Sequence, residues 1–125
     1  MTDIKALDSS AWLYYLFGQN EECRKIVESD TELVISTISI FEIKRKLIRL
    51  RTDRSKIEAS LSMIKKRAIV EEVTCDLAEK AAELAHVHNL HATDSLIYAT
   101  AKKRGAMLVT ADSDFKGAPG VMMVD

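Results

Sequence analysis

Ile4-Lys5-Ala6-Leu7-Asp8-Ser9-Ser10-Ala11-Trp12 is the stretch on which the architecture turns. A short, largely apolar run from Ile4 to Leu7 reads as a strand that ends on Asp8. Ser9 and Ser10 suit a helix N-cap, and Ala11 to Phe17 supplies an aromatic-rich helix stopped by Gly18. The alternation continues outward. Glu21 to Glu28 reads as a second helix, and Leu33-Val34-Ile35 as an uncharged, buried strand. Helices are expected from about Ser39 to Arg49 and from Arg54 to Arg67, the latter with Ile57, Leu61 and Ile64 on one face. Ile69 to Val73 is a third strand, followed by helices over Asp76 to Val87 and Thr93 to Arg104, the last ending at Gly105. Met107-Leu108-Val109 and Val121 to Val124 complete the strands. Strands separated by helices long enough for crossovers predict a mostly parallel sheet of about five strands, covered on both faces. The expected class is α/β, with three α/β/α layers in one domain over residues 1–125.

The composition agrees with this reading. In 125 residues, 47% hydrophobic and 30% charged side chains describe a globular chain able to bury one core, not a disordered one. No apolar stretch is long enough to cross a bilayer. Met1-Thr2-Asp3-Ile4-Lys5 lacks the basic start and apolar run of a signal peptide, so a cytoplasmic location is expected. Cys23 and Cys75 have no ligand spacing and read as reduced thiols. The net charge of −1 conceals an asymmetry. Between Ile43 and Arg67 ten basic residues face two acidic ones, a local charge of +8, while the remainder carries −9. Such a split fits either a polyanion-binding surface or helices whose outer faces are merely solvated.

In an open α/β sheet, ligands bind beyond the carboxyl ends of the strands, near a topological switch point. Residues just after strands therefore carry the functional reading, and several are acids. Asp8 follows the first strand, and Asp112 and Asp114 follow the fourth in Leu108-Val109-Thr110-Ala111-Asp112-Ser113-Asp114-Phe115. Glu42 is expected in the first turn of the helix after the second strand, and Asp94 in the first turn of a later one. Each has a local alternative. Ser39 with Glu42 has capping-box spacing, Asp94 suits a helix N-terminus, Asp8 a turn, and Asp112 or Asp114 the cap of a short helical turn. Together they fall at one end of their elements, among apolar neighbours such as Leu7, Phe41, Ile43, Leu96 and Val109. Two carboxylates about 4 Å apart repel by roughly 4 kcal/mol at an effective dielectric near 20. Such a cluster must take up protons or a cation, and an all-oxygen donor set favours Mg²⁺ or Mn²⁺ over zinc.

These residues resemble the PIN domain family. Its pattern is an Asp ending the first strand, a Glu after the second, an Asp opening a late helix and a Thr-x-Asp after the fourth strand. The chain shows Leu7-Asp8-Ser9-Ser10, Ser39-Ile40-Phe41-Glu42, Ala92-Thr93-Asp94-Ser95-Leu96-Ile97-Tyr98-Ala99 and Thr110-Ala111-Asp112-Ser113-Asp114, in that order. The resemblance covers nearly the whole chain, whose length is typical of the VapC branch. Ser9-Ser10 departs from the Thr-Asn common in the family, although Ser9 still offers a hydroxyl. What the resemblance implies is a metal-dependent endoribonuclease, the toxin of a VapBC-type toxin–antitoxin pair, leaving a 5′-phosphate and a 3′-hydroxyl. Asp8, Asp94 and Asp112 would hold the ion, with Asp114 in an outer role. Glu42 would serve as a ligand or as a base acting through water, and Thr110 would position a carboxylate or water. A small antitoxin and a homodimer are the implied protein partners. Lys44, Arg45, Lys46 and Arg49, following Glu42, become candidate RNA contacts.

Other readings compete. His86, His88 and His91 lack the cysteine partners of a structural zinc site, and His86 and His88 point to different helix faces. Within the run Trp12, Tyr14, Tyr15 and Phe17, Trp12 and Leu16 are assigned to the core, and exposed members to a partner chain. A haloacid-dehalogenase-like phosphatase wants a second Asp where this chain has Ser10. A housekeeping RNA-processing nuclease without an antitoxin, and a non-catalytic binding module whose acids only cap helices, are the alternatives from the same and from a different class.

Overall fold

The computed structural model describes residues 3–125; Met1 and Thr2, on which the expectation of no signal peptide partly rests, lie outside the described residues. Five strands, β1 (Ile4–Leu7), β2 (Glu32–Ser36), β3 (Ile69–Glu71), β4 (Met107–Thr110) and β5 (Val121–Met123), form one sheet in the order β3-β2-β1-β4-β5. Every neighbouring pair is parallel. Among the described residues six α-helices connect them: α1 (Ser9–Leu16), α2 (Glu21–Val27), α3 (Thr37–Arg49), α4 (Arg54–Arg67), α5 (Cys75–His88) and α6 (Ala92–Lys103). The expected α/β class and near-parallel sheet are therefore what the chain adopts, and no helix among the described residues is long and apolar enough to cross a membrane.

The period of two in a strand sorts its side chains between the faces. Leu7, Leu33, Ile35 and Val109 join Trp12, Cys23, Val27, Ile43, Leu47, Ile57, Leu61 and Ile64 in a core beneath α1 to α4. Their neighbours Ala6, Val34 and Leu108 meet Ile97, Tyr98, Ala101 and Phe115 on the face covered by α6. Trp12 is fully buried, as expected, whereas Leu16 is only partly so. Gly18 and Gly105, both at φ +63, end α1 and α6 as anticipated, in the left-handed conformation that lets the chain turn back on the last carbonyls. Ala106 N–H thus reaches Ala101 O at 2.8 Å.

Three local expectations are corrected. Asp8, not Ser9 or Ser10, is the N-cap of α1, accepting from Ala11 N–H at 3.0 Å. The third helix begins at Thr37 with Ser36 as its cap, so Ser39 and Glu42 form no capping box and Glu42 sits in the second turn. Ser36, the last residue of β2, captures the free N–H of Ile38, so the helix is already under way when the chain reaches Ser39. The third strand stops at Glu71, where its ladder with β2 ends.

The chain fills one side of the sheet with β1, β2 and β3, then crosses to place β4 on the other side of β1. The switch point lies between β1 and β4, and the loops leaving those strands begin with Asp8 and Ala111-Asp112.

Candidate functional site

Asp8 is 3% exposed and anchors the crevice. Its backbone N–H donates to Val109 O at 3.1 Å, which ties the end of β1 to β4. One carboxylate oxygen accepts from Ser10 Oγ at 2.6 Å and from Ala11 N–H, and the other accepts from Thr110 Oγ1. Burial pushes the Asp8 carboxyl up; hydrogen bonds from Ser10, Thr110 and Ala11 oppose that, and the charge of Asp112 adds to it. Ser10 Oγ also accepts from Ala111 N–H at 2.9 Å, and Thr110 Oγ1 accepts from Asp112 N–H at 2.9 Å. Two hydroxyls thereby hang the backbone before Asp112 on the buried carboxylate. Asp112 Oδ1 in turn caps a 3₁₀ turn, Ser113–Phe115, by accepting from Asp114 N–H at 2.9 Å. Phe115, buried against Tyr98, fixes that turn to α6.

Asp94 stands in the first turn of α6. One carboxylate oxygen each from Asp94, Asp112 and Asp114 lies within 4.8 Å of the other two. Burial, followed by the charges of Asp112, Asp114 and Glu42, pushes the Asp94 carboxyl up to about 6, with His91 pulling slightly the other way. Glu42 approaches from α3, its Oε1 accepting from Ser9 Oγ at 2.8 Å. The donor set is oxygen throughout and carries several negative charges, which fits a hard divalent cation. Asp8 lies outside the trio, and Asp114 lies within it.

Ser10 and His91 also belong to this site, although the sequence offered Ser10 only as a helix cap beside Asp8 and His91 only as a zinc candidate. Ser10 stands there only as the second of two small residues, and its bond to Ala111 spans 101 positions. His91 Nε2 is 3.7 Å from Asp114 Oδ2, a contact created by the loop before α6. The basic segment divides. Lys46 shares a cavity with Ser10 and Asp112, whereas Lys44 lines another with Ile48, Arg54 and Ile57. Arg45 lies over the exposed Phe41 ring at 5.3 Å, and Arg49 is solvent-exposed. Arg67 is structural: its guanidinium donates to the carbonyls of Val27, Ser29 and Thr31 at 2.7, 3.0 and 2.7 Å.

The family model described as PIN domain matches residues 5–121. The chain belongs to the PIN domain family. Among solved structures, this PIN domain is similar to a chain of a toxin–antitoxin complex from Klebsiella pneumoniae, with 25% identity and a TM-score of 0.76 over 95% of this chain and 96% of that one. VapBC2 from Rickettsia felis, bound to a promoter DNA fragment, matches at 17% identity and a TM-score of 0.76, covering 98% of this chain and 99% of the other. VapC20 from Mycobacterium tuberculosis, a Sarcin-Ricin loop cleaving toxin, matches at 22% identity and a TM-score of 0.73, covering 94% and 95%. No curated protein sequence matches significantly.

Proposed function

We propose that this PIN domain is a metal-dependent endoribonuclease and the toxin member of a VapBC-type pair, working in the cytoplasm. The observation that supports the nuclease reading most directly is the meeting of Asp94, Asp112 and Asp114 at the switch point, with no lysine or arginine ion-paired to them among the described residues. Mg²⁺ or Mn²⁺, when bound there, supplies a water of lowered pKa and neutralises charge on a phosphate. Asp94, Asp112 and Asp114 hold the ion, and Asp8 adds charge while fixing the Ser10 and Thr110 hydroxyls that place Asp112. Glu42, oriented by Ser9, accepts a proton from the attacking water or completes the ligand set. Lys46 and its neighbours Lys44, Arg45 and Arg49 offset the charge of an RNA backbone that the acids alone would repel.

An antitoxin is proposed from the toxin–antitoxin complexes among the structural relatives, with a basic tail entering the acidic crevice and a homodimer as the working form. The test is cleavage of single-stranded RNA with added Mg²⁺ or Mn²⁺, compared with Asp94→Asn and with chelator. Cleavage that persists in either comparison removes the assignment. Harmless expression without a neighbour-encoded chain removes the toxin label and keeps the nuclease.

A further inference from the structure

The nuclease reading assigns the carboxylates but not the cavity beside them. Asp112 belongs to the acidic trio and also lines a cavity of about 400 Å³ whose other walls include Leu13, Tyr14, Phe17, Gln19 and Lys46. That volume falls within the roughly 300–1,000 Å³ typical of ligand pockets. Its chemistry is mixed in an ordered way. Leu13, Tyr14 and Phe17 form an apolar, aromatic side, with Phe17 44% exposed although it closes the C-terminus of a packed helix. Gln19 brings an amide with both donor and acceptor. Lys46, one helical turn beyond Glu42, brings a cation.

We infer that this cavity receives an unpaired base of the RNA, from the nucleotide next to the cleaved phosphate, and selects which base stands there. The inference rests on the ribonuclease reading for the position of the phosphate. A phosphate at the trio places its own nucleotide within reach of the cavity, because Asp112 is a wall of both. The aromatic side offers a stacking surface, which single-stranded nucleic acid uses without regard to base identity. Gln19 offers the hydrogen bonds that distinguish one base edge from another, and Lys46 meets an adjoining phosphate. An apolar side chain of a protein partner would fit the aromatic wall but has no use for the amide and the cation together.

The experiment uses the full chain carrying Asp94→Asn, to block cleavage, and a set of RNA hexamers with 2-aminopurine at each position in turn. One position should show a fluorescence change on binding that the other positions lack. Phe17→Ala should weaken binding about tenfold and abolish that change, and an abasic site at the same position should weaken binding equally. Combining the two should cost no more than either alone. Phe17→Trp should restore the binding that Phe17→Ala loses, and the exposed Gln19→Ala should alter base preference at that position without weakening the others. No position-specific fluorescence change, no RNA binding, or additive losses would overturn the inference and leave the cavity to a protein side chain. Cleavage of the unmodified hexamers by the wild-type chain with Mn²⁺ separates the two readings. Absence of cleavage removes the nuclease, whereas cleavage with the same sequence pattern in Phe17→Ala and Gln19→Ala removes only the base pocket.

Discussion

Glu71 and Asp94 are both drawn toward the interior, and the fold treats their charges in opposite ways. The Glu71 side chain, 10% exposed at the end of β3, meets Lys103 Nζ at 3.1 Å and the Arg104 guanidinium. Burial pushes its carboxyl up, but hydrogen bonds and charge from those two cations more than offset this and leave it below the usual range. Asp94 is less deeply buried, and its charged neighbours are mainly acids, which carry it up to about 6. Both acids interact with or belong to α6, whose C-terminal end supplies cations to Glu71 and whose first turn joins a carboxylate cluster. One charge is balanced by Lys103 and Arg104; the other has no lysine or arginine ion-paired to it among the described residues.

The sharpest way to break this contrast is to remove the unbalanced charge. Asp94→Asn should lower RNA cleavage by at least about a hundredfold, as the proposed metal-holding role of its carboxylate requires. In metal-free buffer the same change should raise stability by about 1 kcal/mol, less than the full repulsion because solvent screens the partly exposed group. Urea unfolding of the two proteins checks this. Asp8→Asn should also abolish cleavage but should not stabilise, since that carboxylate accepts three hydrogen bonds that an amide satisfies less well.

The two acids should respond to pH with opposite signs. Asp94 rises from 3.8 to about 6, so the folded state binds the extra proton between those values. Its contribution to stability therefore improves as pH falls from 6 toward 3.8, while affinity for Mn²⁺ falls by up to about tenfold per unit as protons compete. Glu71 lies below its usual 4.5, so its stabilisation is present above 4.5 and is lost as pH falls through the folded value. Metal titrations by calorimetry and urea unfolding, both across roughly pH 3.5–7, separate the two. A rise in Mn²⁺ affinity below pH 6 would reverse the assignment of Asp94.

Glu71→Gln should cost about 1–2 kcal/mol, because Lys103 and Arg104 lose their partner but remain partly solvated. Cleavage by the fraction that stays folded should be unchanged, and a large loss of activity per folded molecule would contradict the separation of the two regions. The smallest effects concern the basic segment. Lys46→Glu should weaken RNA binding several-fold and flatten its salt dependence, by roughly one unit of the log–log slope for each phosphate left without its cation. Lys65→Glu and Lys66→Glu should change binding little. Arg67→Ala should act through stability instead, by freeing the carbonyls of Val27, Ser29 and Thr31. Equal effects of Lys46 and Lys65 on binding would reduce the segment to a solvated surface.

Much of this was legible in the order of the residues. Ile4–Leu7 running into Asp8, the glycines after α1 and α6, and the apolar face of Ile57, Leu61 and Ile64 in α4 are local signals, governed by backbone preference and side-chain period. The cap of α3 is not legible in the same way, because Ser36 and Ser39 are equally good caps in isolation and the end of β2 decides between them. Arg67 is indistinguishable from Lys65 and Lys66 for a similar reason: its carbonyl partners lie 36 to 41 positions away. By itself the sequence determined the alternation of strands and helices, the end of the sheet at which acids accumulate, and the family to which they are similar. Only the tertiary structure decided that Asp114 joins Asp94 and Asp112 while Asp8 stands behind them, bound by Ser10 and Thr110. Helix and strand periods come from near neighbours along the chain. The distances between carboxylates depend instead on a strand crossover and on hydroxyls that bridge about a hundred residues, and no local pattern carries that information.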